Sequence, residues 1–254
     1  MDLNFRAIGE GDNTLIIIHG LFGSLDNWAT LGKAFATDRQ VYLIDQRNHG
    51  KSPHSNEFSY EHMAEDLEGF MNSHNIKKAV ILGHSMGGKT AMKFAMKFPE
   101  RIEKLIIADI GPKYYPPHHQ KIIEALESVD MDTIKSRGDA ESTMKKHISD
   151  PGIMMFLMKN ITRKGNHYAW KMNLPVIIKN IDNVGEGLEL EEEYKGSTLF
   201  VRGSKSDYIL DTDWEGIYDC FPNAKLATID NAGHWLHAEQ PKSFFDTIEA
   251  YINE

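Results

Sequence analysis

The stretch Gly83-His84-Ser85-Met86-Gly87-Gly88-Lys89-Thr90 satisfies two chemical patterns at once. Read as G-x-x-x-x-G-K-T it would cradle phosphates, with Lys89 on the β- and γ-phosphates and Thr90 on Mg²⁺. Read as G-x-S-x-G it is a sharp strand-to-helix turn that presents Ser85 as a nucleophile. Both patterns require strand, loop and helix, so the local context does not separate them. Even the apolar run 105–108, ending at Asp109, would serve a phosphate site as its acidic second strand.

Distant residues separate the two chemistries. A serine hydroxyl is a weak nucleophile until a base takes its proton and an acid orients that base. The serine reading therefore needs a carboxylate and then a histidine later in the chain. Ala232-Gly233-His234-Trp235 supplies the histidine directly after the last expected strand, where a nucleotide hydrolase has no use for it. It also needs amide donors for an oxyanion: Met86 follows Ser85, and His19-Gly20-Leu21-Phe22-Gly23 sits after an early strand. A phosphate loop usually follows the first strand of its domain, whereas at least two strands precede this one. The serine reading is preferred. With phosphate set aside, Lys89 and Thr90 become ordinary first-turn helix residues.

The elements that must position these residues alternate. Apolar runs at 14–18, 41–44, 79–82 and 105–108 are separated by helical stretches at about 27–36, 60–74 and 86–97. Short runs apolar on both faces suit a parallel sheet covered by helices. Pro112, Pro116 and Pro117 break the pattern, and helical spacing with no convincing strand prevails from about 119 to 194. Alternation resumes with strands at 198–201 and 225–229 and helices near 211–220 and 241–252. The expected architecture is an α/β core over 1–111 and 196–254, interrupted by a helical cap at 112–195.

Composition excludes other classes. The 254 residues are 41% apolar and 26% charged, ordinary globular values. Acidic residues outnumber basic ones 37 to 28, which opposes nucleic-acid binding. No apolar run approaches a membrane span, and the first residues carry no signal-peptide core. A single cysteine, Cys220, forms no internal disulfide. The expectation is a soluble, cytoplasmic protein of unspecified oligomeric state, acting on a small molecule without a cofactor.

These motifs together resemble the α/β-hydrolase superfamily. The turn Asp45-Gln46-Arg47-Asn48-His49-Gly50-Lys51-Ser52 is similar to the D-x-R-x-x-G-x-S turn common there. Joined with His19-Gly20-Leu21-Phe22-Gly23-Ser24, Gly83-His84-Ser85-Met86-Gly87-Gly88-Lys89 and Asp109-Ile110-Gly111-Pro112, it most resembles the bacterial YbfF-type esterases. The resemblance implies Ser85 as nucleophile, His234 as base, and the Leu21 and Met86 amides as oxyanion hole. It leaves two positions for the acid. One lies beyond Gly203, where Ser206 holds the usual place and Asp207 follows; the other is Asp109. Asp109 leaves an apolar strand directly before a Gly-Pro turn and suits a rigidly held orienting group. The other carboxylate would be a helix cap or loop-closing acceptor.

The activity implied is hydrolysis of acyl esters or thioesters through an acyl-enzyme. Other reactions of the same scaffold (C–C bond hydrolysis, cofactor-free elimination) and a phosphate-loop NTPase are the alternatives. Phe22, Trp28, Tyr114 and Trp235 are candidate pocket walls, with core packing the plainer role for the tryptophans. His19 and His84 are read as supports of the site, His49 as a turn residue and Arg47 as a structural tie. His118-His119 and His234/His237 lack further ligands at metal spacing, so no metal is expected. Methionines crowd the cap segment (Met131, Met144, Met154, Met155, Met158, Met172), as an adaptable acyl-pocket lining or as a small core. Nine basic against three acidic residues between 135 and 179 would suit an anionic leaving group such as coenzyme A; a solvated lysine face is the plainer reading.

Overall fold

The computed structural model describes residues 1–188 and 193–254. Seven strands form one sheet in the order β1-β3-β2-β4-β5-β8-β9: β1 (Phe5–Ile8), β2 (Thr14–Ile18), β3 (Gln40–Ile44), β4 (Ala79–His84), β5 (Ile102–Ala108), β8 (Thr198–Gly203) and β9 (Ala224–Ile229). All neighbouring pairs are parallel except β1 with β3. The strands anticipated from apolar runs are the five inner ones and the edge strand β9. β4 is buried along its whole length, as a strand covered on both faces must be. The edge strand β1 is largely exposed and mixed in character, which is why no apolar run announces it.

Helices cover both faces. One layer joins α2 (Tyr60–Ser73), α3 (Met86–Lys97) and α9 (Trp214–Cys220) to an apolar core that includes Ile16, Ile81, Phe94, Ile107 and Phe200. The other joins α1 (Ala29–Phe35) and α11 (Pro241–Ile252) through Leu15, Phe35, Leu82, Val201 and Phe244. Ser59 opens α2 as a cap, its hydroxyl accepting from the His62 amide.

Between β5 and β8 the chain leaves the sheet and forms α4 (Gln120–Glu127), α5 (Arg137–Met144), α6 (Pro151–Met158), α7 (Leu174–Lys179) and α8 (Ile181–Gly185). It also forms an antiparallel hairpin, β6 (Ile161–Lys164) with β7 (His167–Trp170), where no strand was expected. The two turn residues are Gly165 and Asn166, with Gly165 at φ 61°. A glycine there supplies the left-handed conformation that a tight hairpin turn requires. Buried Met144, Met154 and Met172 pack with Ile123, Leu126, Leu157 and Ile177 in a cluster that also takes in Leu21, Phe22, Phe58, Tyr60, Met63 and Met86 from the sheet's side. Among the described residues no helix is long and apolar enough to cross a membrane.

Candidate active site

The sheet brings five loops together at the carboxyl ends of β2, β4, β5, β8 and β9, where open α/β sheets bind ligands. Ser85 stands between β4 and α3 at φ 53°, ψ −121°, a conformation that costs a non-glycine residue about 1–3 kcal/mol. The surrounding glycines make the turn possible. A Cβ on Gly83 would lie 2.2 Å from the Gly87 carbonyl oxygen, and one on Gly87 would lie 2.4 Å from that of Ile18. The motif's glycines are thus explained by backbone contact rather than by a phosphate cradle.

The Ser85 hydroxyl donates to His234 Nε2 at 3.0 Å, and His234 Nδ1 donates to Asp109 Oδ2 at 2.8 Å. Asp109 is wholly buried, at φ 53°, with its amide on the Val201 carbonyl at 2.8 Å. Its Oδ1 accepts from the Gly203 amide at 3.0 Å, and the Ser206 hydroxyl donates to its Oδ2. Asp207, the other carboxylate considered, is exposed. The loop after β8 turns Ser206 inward instead, with the Tyr208 amide donating to Ser206 Oγ at 3.3 Å. The Tyr208 ring stacks on His234 with centroids 3.8 Å apart and planes 13° from parallel.

The loop holding Leu21 is braced by buried neutral histidines. His19 accepts from the Gln46 amide at Nε2 (3.0 Å) and donates from Nδ1 to the Gly20 carbonyl (2.8 Å). His49 accepts from the Phe22 amide at 3.3 Å and donates to the Arg47 carbonyl at 2.9 Å. Burial drives the His19 pKa down to about 4 and that of His49 to about 3, so each keeps the lone pair its bond needs. His49 is therefore a support of this loop as well as a turn residue. His84, its pKa also pushed well down by burial, donates to the His234 carbonyl at 2.8 Å and fixes the histidine loop. Arg47 is the expected tie, pairing with buried Asp66 at 2.7 Å.

A Cβ on Gly20 would lie 3.1 Å from both Ser85 Cβ and His84 Nδ1, so this loop runs close beside Ser85. The Leu21 amide has no protein acceptor among the described residues, and that of Met86 opens α3, where helix geometry provides none. Both are free to face a developing negative charge.

A cavity of about 240 Å³ lies over this arrangement, lined by Phe22, Trp28, Phe156, Tyr208, His234 and Trp235 among others. Three of the four expected wall residues are there. Tyr114 is not: it is 60% exposed, because the chain beyond Pro112 turns the next residue inward in its place. Tyr115 OH accepts from the Gly111 amide at 2.8 Å and donates to the Tyr208 carbonyl at 2.7 Å. Methionines do not line this cavity; the cap segment contributes Ile122, Phe156 and the His118-His119 pair. Tyr208 escaped the sequence reading because no motif marks it, and His119 is read there only as half of a histidine pair without metal-ligand spacing.

Lys89 is not an ordinary helix residue. Its side chain is fully buried, and Nζ donates to the Glu186 carbonyl and, at 3.4 Å, to that of Gly185. Tyr60 and Tyr115 present their ring faces at 5.7 and 5.0 Å. Burial lowers its pKa to about 8. Thr90 is committed likewise, to Gln46 Oε1 at 2.7 Å and to the Met86 carbonyl. The lysine and hydroxyl that a phosphate loop would use are thus engaged inside the protein.

The chain belongs to the α/β-hydrolase family. A family model described as alpha/beta hydrolase fold matches residues 13–137. A mouse (Mus musculus) protein named sn-1-specific diacylglycerol lipase ABHD11 is 36% identical, over 96% of this chain and 83% of its own. Esterase YbfF of Escherichia coli is 33% identical over the full length of both chains. Among solved structures, a marine microorganism esterase superposes with a TM-score of 0.96 at 46% identity, covering 98% of this chain and 99% of its own.

Proposed function

We propose that the protein is a serine hydrolase of carboxylic esters, with Ser85, His234 and Asp109 as its triad. The single observation that carries this reading is the unbroken path Ser85 Oγ, His234 Nε2, His234 Nδ1, Asp109 Oδ2, with links of 3.0 and 2.8 Å. Family membership and the esterase and lipase relatives support ester hydrolysis independently.

In the first half-reaction Ser85 Oγ attacks the ester carbonyl carbon while its proton passes to His234 Nε2. The carbonyl oxygen becomes an oxyanion held by the Leu21 and Met86 amides. Collapse breaks the bond to the alkoxy oxygen, which takes the proton from Nε2 and leaves as alcohol. Water then repeats the sequence on the acyl-enzyme, releasing the acid and restoring Ser85. Buried Asp109 stabilises the imidazolium in both halves without itself taking up a proton. Residues 112–195 act in this reading as a cap that roofs the cavity over the core.

Thioesters are open to the same chemistry, but the charge near the cavity gives no preference for coenzyme A. The groove beside it carries Lys159 together with Asp150 and Glu239. Much of the basic surplus is engaged within the protein: Arg137 donates to the Met158 and Ile161 carbonyls, and Lys171 pairs with Asp26 at 3.3 Å.

The test is labelling by a fluorophosphonate with p-nitrophenyl acetate turnover. Both are expected in the wild type and absent in Ser85→Ala. Labelling at Ser85 without ester turnover would move the assignment to another reaction of the scaffold. Turnover surviving in Ser85→Ala would end the serine mechanism.

A further inference from the structure

Ser85 lies between two chambers of very different size. The larger is the 240 Å³ cavity, which His234 lines. The smaller, about 20 Å³, is walled by Met86, Ile110, Tyr115, Ile181 and Val184; it shares Leu21, Ser85, His118, His119 and Tyr208 with the larger, but His234 takes no part in it. A space of that size holds about one water molecule or a methyl group. A groove of about 490 Å³ adjoins the larger chamber, the two sharing Asn27, Phe156, Trp235 and His237 as walls.

The proton inventory of the reaction distinguishes the two. When the tetrahedral intermediate collapses, the C–O bond breaks and the departing alkoxy oxygen takes the proton from His234 Nε2. That oxygen must then lie within hydrogen-bonding reach of Nε2, on the side the imidazole faces. The carbonyl oxygen is committed to the Leu21 and Met86 amides. The carbon substituent of the acyl group is left with the remaining direction, toward the small chamber beside Met86.

Resting on the serine-esterase reading, we propose that the enzyme is built for esters of short acyl groups with large apolar alcohols. The acyl methyl occupies the small chamber. The alcohol's carbon skeleton fills the large one and extends over Trp235 and Phe156 into the adjoining groove.

A pair of isomeric esters tests this directly, because hexyl acetate and ethyl hexanoate share one formula with the long chain on opposite sides of the ester. Hexyl acetate is expected to give the higher kcat/KM, by at least about tenfold, the discrimination a pocket exerts for even one misplaced methylene. Equal rates, or a preference for ethyl hexanoate, would overturn the assignment. Ser85→Ala, run alongside, must abolish turnover of both; survival there would fault the esterase reading instead of the chamber assignment. Widening the small chamber with Ile181→Ala, or with Val184→Ala if the first variant folds poorly, should raise hexyl butyrate turnover relative to hexyl acetate. An unchanged ratio in a folded variant would also refute the proposal.

Discussion

Replacing Asp109 by asparagine keeps the shape of the side chain and changes only which of its two outer atoms can accept a hydrogen bond. In the wild type Oδ1 accepts from the Gly203 amide at 3.0 Å, while Oδ2 accepts from His234 Nδ1 at 2.8 Å and from Ser206. Asparagine has one oxygen to offer. If it stays on the Gly203 amide, which cannot reorient, the NH₂ group meets His234 and donates to Nδ1. The histidine proton is then forced onto Nε2, where it blocks acceptance from Ser85. The reverse orientation opposes the asparagine NH₂ to a buried amide N–H, at a cost of about 1–3 kcal/mol for the donor left unpaired. The wrong tautomer therefore prevails, with the chain fold intact. In a serine protease with this arrangement the corresponding exchange costs about 10⁴ in kcat, or about 5 kcal/mol of transition-state stabilisation. Steady-state hydrolysis of p-nitrophenyl acetate should show a loss of that order for Asp109→Asn and little change for exposed Asp207→Asn. A loss below about tenfold in Asp109→Asn, or a larger loss in Asp207→Asn, would refute the orientation argument.

Three further outcomes follow from the geometry. In Gly87→Ala the new Cβ would fall 2.4 Å from the Ile18 carbonyl oxygen and 2.6 Å from that of His19, so β2 and the oxyanion loop must shift. Ester turnover should collapse and the unfolding free energy measured by denaturant titration should fall by about 1–3 kcal/mol or more. Gly69→Ala meets nothing within 4 Å on α2 and should instead gain about 0.5–1 kcal/mol. Acid should unfold the protein between about pH 4 and 5. His19, His49 and His237 are buried with pKa values lowered to about 4, 3 and 3, against 6.5 when unfolded. Below pH 6.5 the unfolded chain binds protons that the native state refuses, so stability falls with pH. At pH 4.5 each group withdraws about 3 kcal/mol, a sum comparable with the whole stability of a domain. Native tryptophan fluorescence persisting at pH 4 would contradict this.

What the sequence revealed, and what it did not, divides along a physical line. Residues whose chemistry is tied to a turn were legible, because the turn constrains several neighbours at once. Gly83, Ser85 and Gly87 are readable together since each glycine is required by a backbone approach of less than 2.5 Å. The inner strands were legible for a similar reason: burial on two faces leaves an unbroken apolar run. The edge strand β1 is exposed along most of its length and leaves no such trace, whereas β9 at the opposite edge carries a legible run, 225–229. The β6–β7 hairpin did carry a signal, Gly165-Asn166 between Lys164 and His167, masked by the helical spacing of its surroundings. Tyr208 and Tyr115 act through a ring stack and a carbonyl bond across 93 residues, which no local pattern encodes.

Lys89 shows where local pattern reading fails most instructively. Its position in G-x-x-x-x-G-K-T suits a phosphate ligand, and on an exposed helix turn it would be unremarkable. Neither role accounts for a fully buried ammonium. A charge there is tolerable only because the Gly185 and Glu186 carbonyls, at the C-terminal end of α8 and nearly a hundred residues away, accept its hydrogen bonds while two tyrosine faces cover it. The same lysine thus links α3, which follows Ser85, to α8, and the walls of the small chamber beside Ser85 include Tyr60, Tyr115 and Gly185 from that cluster. Removing the amine by Lys89→Met should therefore disturb the small chamber first. Turnover of short-acyl esters would change through KM, with the reactivity of Ser85 toward a fluorophosphonate retained. Loss of that reactivity in a folded variant would show that Lys89 acts on the nucleophile's turn itself and not on the chamber wall.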